Sequence, residues 1–277
     1  MVIGFIGLGD VGSRFSGGIA RDGGADVLGY DLKLGQSGFQ EKQERCVQCG
    51  VKLAESKQAL ADGSDILIAA TSCAEAIETA KDYLPWLRPG QYYVDVNSAV
   101  PKIKKEIQAL VEAKGAHFVD GGIMDSPMNG WHRIPVALSG GQAGYVADVL
   151  NGYGMNMRKV GAEVGQASSL KILRSIFTKG LEALLLETFG EFHAPIAEIM
   201  RRAFEENWID AYPRPGKEGG AFCQGVHALK MSYVLTNFEG SYSDVSTLAH
   251  ELGHAFHDSM MNDVPALLTD IPMPLAE

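Results

Sequence analysis

The sequence predicts an α/β fold: a doubly wound parallel sheet over residues 1–164, a long helix over 165–192, and a smaller, mostly helical unit over 193–277. Three features carry that expectation. Short apolar runs alternate with helical patterns through the first half, the order that builds a parallel sheet covered on both faces. The first run leads directly into a glycine-rich turn. Beyond residue 192 the alternation stops, and an irregular loop, two short strands and a helix follow.

Val2, Ile3, Phe5 and Ile6 form the first strand, and Gly7-Leu8-Gly9-Asp10-Val11-Gly12 follows without a gap. Gly7 permits the tight turn, Gly9 lets a pyrophosphate approach the backbone, and Gly12 lets the new helix lie close against the strand. The helix N-terminus then faces the anion. Val27-Leu28-Gly29-Tyr30 is a second strand, ending in Asp31, where a carboxylate would accept hydrogen bonds from the adenosine ribose hydroxyls. The bland alternative is a glycine-rich turn without a ligand. Strand, glycines, helix, second strand and acid in this order instead point to a Rossmann-type site for NAD or NADP. Asp31 would repel a 2′-phosphate and so favours NAD, an effect that Lys33 softens.

A polar segment then leads to a short strand at Val51 to Leu53. The run Asp65 to Ala70 is continuously apolar after its first residue, as a strand covered on both faces should be. Tyr92 to Val96 is the next strand. Pro101 to Lys114 opens with proline and closes at Gly115, the start and stop signals of a helix. His117 to Asp120 and Val136 to Leu138 are further strands, separated by Asp125 to Gly130. Ligands of such sheets sit at the carboxyl ends of the strands, where Asn97, Ser98, Asn129, His132 and Arg133 fall. Each alone reads as a turn or cap residue; beside a dinucleotide they become contacts to a substrate carboxylate or phosphate. From Gly165 to Phe192 a helix is apolar almost all round and so unsuited to water, which predicts burial in a homo-oligomer. Lys171 near its start reads, by itself, as a snorkelling surface lysine.

Gly219 to Cys223 and Ser232 to Asn237 read as short strands, followed by a helix with Ser243 as N-cap and Asp244 in its first turn. That helix carries His250-Glu251-Leu252-Gly253-His254. Histidines at i and i+4 share a face and can converge on one zinc ion, and Glu251 is placed to take a proton from a metal-bound water.

The formal net charge of −10 and pI near 5.2 argue against nucleic acid or an anionic membrane as partner, since the mean field would repel either. Small molecules or protein are the expected partners. With no basic leader and no bilayer-length apolar run, the chain reads as cytoplasmic. Cys46, Cys49, Cys73 and Cys223 are too few and scattered for a disulfide framework, and the single Cys46 to Cys49 spacing reads as reduced thiols.

These residues carry two resemblances. Gly4 to Gly12, Asp31, the strand ending in Asn97-Ser98, Asp125 to Gly130 and Gly161 to Lys171 resemble the 3-hydroxyisobutyrate and 6-phosphogluconate dehydrogenase superfamily, and Ala167 to Glu187 is similar to its 6-phosphogluconate-dehydrogenase-like branch. This resemblance covers roughly residues 1 to 187. It implies an NAD(P)-dependent oxidoreductase acting on a small 3-hydroxy acid, with Asn97 beside the cofactor, Ser98, Asn129 and Arg174 toward the substrate, and Lys171 as the acid/base on the hydroxyl. Such a lysine must lose a proton near neutral pH, which burial or a neighbouring cation promotes; Arg174, one turn on, is the expected cation. The family usually has asparagine in that turn and serine where Asn129 stands, departures that bear on the substrate. Residues 203–277 closely resemble the oligoendopeptidase F and thimet oligopeptidase family of zinc metallopeptidases. This implies a peptide substrate, His250, His254 and Glu277 as zinc ligands, and Glu251 as general base. His257 reads as a packed or surface residue. The chain thus reads as a chimera joined near 187–192, lacking the helical dehydrogenase domain and most of the peptidase.

Overall fold

The computed structural model describes residues 1–239 and 241–269. Contacts divide the chain into two units, Met1–Arg174 and Ser175–Glu277. The first unit begins with β1 (Val2–Ile6), α1 (Asp10–Gly23), β2 (Asp26–Tyr30), α2 (Gln40–Gln48), β3 (Lys52–Leu53), α3 (Lys57–Gly63) and β4 (Ile66–Ala69). It continues with α4 (Ala76–Tyr83), β5 (Tyr92–Asp95), α5 (Pro101–Glu112), β6 (His117–Ile123), β7 (Pro135–Ser139), α6 (Ala143–Asn151), β8 (Asn156–Gly161) and the start of α7 (Gln166–Phe192). The strands form one sheet in the order β3-β2-β1-β4-β5-β6-β7-β8. The order reverses between β1 and β4, and the crevice at such a reversal is where doubly wound sheets bind ligands.

The strands follow from their residues. Every side chain of β4 is buried, and all but the first of β1, because helices cover both faces of the sheet. One pair departs from the parallel expectation: β6 and β7 run antiparallel. The connection over residues 124–134 is too short for the crossover of about a dozen or more residues that a parallel return requires, so the strand turns back. The sheet also gains β8, which periodicity did not reveal. Its burial pattern shows one buried residue, Met157, with Arg158, Lys159 and Val160 exposed, the polar character of an edge strand. Ile3, Phe5, Phe15 and Ile19 belong to the core on one side of the sheet, Leu60, Tyr83, Tyr93 and Ile107 to the core on the other.

The second unit holds the rest of α7, then α8 (Ala194–Glu205), β9 (Ile209–Asp210), β10 (Phe222–Val226), β11 (Met231–Leu235) and α9 (Tyr242–Met260). Its three strands form a separate sheet, β10-β11-β9. Trp208, Met200, Ala203, Leu252 and Ala255 make its own core, with Leu185 from α7. The N-cap of α9 is Ser241, not Ser243: the Ser241 hydroxyl accepts from Asp244 N, and the Asp244 carboxylate accepts from Ser241 N. The apolar helix α7 is also less buried than its composition predicts, with Leu173 and Ile176 each 64% exposed. No described helix is long and apolar enough to cross a membrane.

Candidate active site

The turn between β1 and α1 has the geometry its glycines predict. Gly7 takes φ +88°, a left-handed conformation that disfavours any side chain. A Cβ on Gly12 would lie 2.0 Å from the Gly7 carbonyl oxygen, so α1 starts directly against the turn. At Gly9 a Cβ would meet nothing within 4 Å. The backbone there faces open space ahead of the first amides of α1, the approach a diphosphate needs. Asp31 closes the arrangement from the tip of β2: its Oδ2 accepts from Leu8 N at 2.7 Å and its Oδ1 from Lys33 N at 2.9 Å. Asp10 would repel an anion at this helix end, but its carboxylate sits 3.3 Å from both Lys42 and Arg14. The Lys42 side chain, aided by Arg14, holds the Asp10 carboxyl below its ordinary range.

Next to the turn lies a cavity of about 300 Å³ whose lining includes Val11, Thr71, Asn97, Ser98, Asp125 and Lys171. Asn97 is buried, and its Nδ2 has no hydrogen-bond partner among the described residues. A buried amide donor without a partner is costly unless a ligand accepts from it. Open backbone at Gly9, the α1 N-terminus and this amide therefore fit a bound dinucleotide. The Lys171 amine donates to the Ser98 hydroxyl at 2.5 Å. Burial lowers the Lys171 ammonium from its ordinary value, and the positive charge of Lys104 lowers it further. The cation that depresses Lys171 is thus Lys104 on α5, in place of the expected Arg174.

The other expected substrate residues are distributed differently. Arg174 and Asn129 are outside the cavity lining. The Asn129 amide instead donates to Asp125 Oδ1 at 2.9 Å, holding a carboxylate that does line it. His132 turns away and is buried, so close to α1 that a Cβ on Gly18 would lie 2.0 Å from its Nδ1. Arg133 pairs with Asp22 at 2.9 Å.

In the second unit, His250 and His254 of α9 bring their Nε2 atoms to 3.0 Å, with rings edge to face. Two ligands of a tetrahedral zinc stand about 3.3 Å apart, so this pair fits two corners of such a site. Glu251 is buried. Among the described residues no group of three His, Cys, Asp or Glu converges on a metal position. Glu277, the expected third ligand, lies outside the described residues.

Comparison with known proteins also divides the chain in two, with the second match beginning inside the first structural unit. Residues 2–155 match the family model for the NAD binding domain of 6-phosphogluconate dehydrogenase, and residues 163–277 match that of peptidase family M3. An uncharacterized 28.5 kDa protein in the 7S RNA 5′ region of Methanothermus fervidus is 33% identical over 191 residues, 69% of this chain and 70% of the relative. Chromosomal oligoendopeptidase F of Lactococcus lactis subsp. cremoris is 34% identical over 104 residues, 36% of this chain but only 17% of that peptidase. Among solved structures, the conserved protein MTH1747, described as similar to 3-hydroxyacid dehydrogenases, superposes with a TM-score of 0.62 at 25% identity, covering 99% of this chain and 93% of its own. A 3-hydroxyisobutyrate dehydrogenase of Mycobacterium tuberculosis gives the same TM-score at 16% identity over 73% of this chain and 70% of its own, a likeness of fold alone.

Proposed function

The chain belongs to the family whose model is the NAD binding domain of 6-phosphogluconate dehydrogenase, and on that premise we propose that it is an NAD(P)-dependent oxidoreductase acting on a small 3-hydroxy acid. The observation that carries the proposal is the Lys171 to Ser98 contact in a cavity beside the open glycine turn. When bound, the nicotinamide supplies the hydride acceptor. The turn at Gly7 to Gly12 holds the diphosphate, Asp31 takes the adenosine ribose, and the Asn97 amide donates near the nicotinamide end. Asp31 favours NAD over NADP through charge repulsion.

Lys171 then takes the proton of the substrate hydroxyl. A lysine is useful for this only when a fraction of it is neutral near pH 7, which its partial burial and the Lys104 charge both promote. Ser98 holds the amine in line and shares the substrate oxygen. Titration with NADH and NADPH, followed by a screen of 3-hydroxy acids for hydride transfer, tests this reading. Lys171→Met is expected to bind cofactor and lose turnover by at least about a hundredfold, the usual scale of acid/base catalysis. A chain that binds neither nucleotide overturns the proposal.

The His250 and His254 pair favours a second reading, zinc binding in the manner of the M3 peptidases, with Glu251 as base. Metal analysis of the purified chain tests it. One zinc per chain, lost in His254→Ala, supports it, and zinc-free wild type rejects it.

A further inference from the structure

We infer that Lys104 is a positioning residue: with Asp95 and Asp120 it forms a buried ion triad that ties the Asn97-Ser98 loop to the first turn of α7 and so fixes where the Lys171 amine meets Ser98. The inference rests on the reading of Lys171 as the acid/base. Lys104, Asp95 and Asp120 are each no more than 1% exposed. The Lys104 ammonium donates to the Asp95 carbonyl at 2.6 Å and lies 3.5 Å from Asp95 Oδ2 and 3.3 Å from Asp120 Oδ1. Each acid then reaches one half of the site. Asp95 Oδ1 accepts from Asn97 N at 2.8 Å, shaping the loop that presents Ser98. Asp120 Oδ2 accepts from Gly165 N and Ser168 N at 3.0 Å each and from the Ser168 and Ser139 hydroxyls at 3.1 Å each. A side chain on β6 thereby caps the helix that carries Lys171, one turn before it.

Burying three charged groups is a poor way to gain stability, because each must be stripped of water. What the triad provides is a fixed separation between two loops, with the Lys104 ammonium held close enough to act on the Lys171 amine. Asp95 shows the tension: burial pushes its carboxyl up while Lys104 pulls it down. The charged groups around Lys171 are Lys104 on α5, with Asp95 and Asp120 behind it, Asp125 in the cavity wall and Arg174 on its own helix. Of these, Lys104 is the one that adds to burial in lowering the Lys171 amine.

The test needs neither substrate nor turnover. The full chain is labelled with trace acetic anhydride across pH 6 to 11, and peptide mass spectrometry gives the titration midpoint of Lys171 alongside that of Lys105, exposed on the same helix as Lys104. In Lys104→Met the Lys171 midpoint is expected to rise by about half a pH unit or more, with Lys105 unmoved. Lys104→Gln, which removes the positive charge but keeps a donor toward the Asp95 carbonyl, is read in the same way if Lys104→Met does not fold. A purely structural role would lower the melting temperature and leave the Lys171 midpoint where it was. That result, in either folded variant, overturns the inference. If the midpoint rises but the wild-type chain binds no nicotinamide nucleotide, the coupling stands and the dehydrogenase reading falls.

Discussion

Two alanine substitutions in the glycine turn separate folding from ligand binding. In Gly12→Ala the new carbon lies 2.0 Å from the Gly7 oxygen and 2.9 Å from its carbonyl carbon, both main-chain atoms that cannot rotate away. Relief requires α1 to move off β1 by more than an ångström. Overpacking of this kind costs about 3 kcal/mol, which for a domain of this size lowers the melting temperature by about 6–12 °C. Gly9→Ala is different. Gly9 is the N-cap of α1, with φ −62° and ψ −157°, an extended conformation, and its Cβ would touch nothing. A weaker cap costs up to about 1 kcal/mol, and the less flexible unfolded chain returns about 0.4–1 kcal/mol. The melting temperature should therefore stay within about 3 °C of wild type. The methyl occupies the space a diphosphate must enter, and a tenfold or greater loss of NADH affinity follows, about 1.4 kcal/mol. Thermal melts and NADH fluorescence titrations on both variants measure the two effects. If Gly9→Ala folds normally and binds NADH as tightly as wild type, no diphosphate sits at this turn and the reasoning fails.

Asp31→Ser removes the charge that faces a 2′-phosphate, so the ratio of NADPH to NADH affinity should rise about tenfold; the ratio is the readout because Asp31 also braces Leu8 N, and an unchanged ratio would place the ribose elsewhere. Burial, with help from Arg133 and Arg21, lowers the His132 imidazolium, while Asp22 opposes. A depressed folded value means that its stabilising effect is present above pH about 6.5 and is lost as pH falls through that folded value, so the melting temperature should drop over this acid window, and less steeply in His132→Leu. The Cys46 thiol is pushed up to about 11 by burial, so it should resist a disulfide reagent at pH 8 in the native state, whereas exposed Cys73 reacts; rapid modification of Cys46 would mean the α2 region opens readily.

How much of this was legible in the sequence depended on how far apart the cooperating residues lie. The glycine turn and Asp31 are local: their placement follows from the chain geometry of one strand, one turn and the next strand, with Gly7 in the left-handed region and Asp31 bonded to Leu8 N. Lys104 was missed because its partners come from β5 and β6, which no local pattern brings together. One signal was present. Lys104, Ile107 and Val111 share the i, i+3, i+7 stripe that α5 buries, so a lysine stood where the helix demands an apolar residue. Helical spacing makes Arg174 a neighbour of Lys171 and hence the expected cation, but spacing along one helix says nothing of what other elements place beside it. His132 and Asn129 failed as direct cavity residues for a similar reason, since a turn backwards into β7, in place of a crossover helix, redirects the segment between them.

The peptidase family match and the dehydrogenase resemblance overlap on α7, and side-chain contacts show which unit each part of that helix belongs to. The peptidase model begins at residue 163, while the dehydrogenase resemblance runs on to Glu187. Any long helix with frequent leucines supports either alignment, so apolar content decides nothing there. Specific anchors do. The first turns are held by Asp120, and Lys171 meets Ser98, both partners within the dinucleotide-binding unit. Leu185 lies in the core of Trp208, Met200 and Leu252, which belongs to the second unit. Between these anchors Leu173 and Ile176 are mostly exposed, and the division between units falls at Arg174 and Ser175. The ties of the helix to the first unit are therefore made by its first two turns. A substitution at Ser168, which bonds to Asp120, should perturb the Lys171 amine, whereas one at Leu185 should destabilise only the second unit. Leu185→Ala leaves a cavity costing about 2–5 kcal/mol there, and its effect on NADH binding should be nil. A loss of NADH affinity in Leu185→Ala would show that the two units do not stand independently on their own cores.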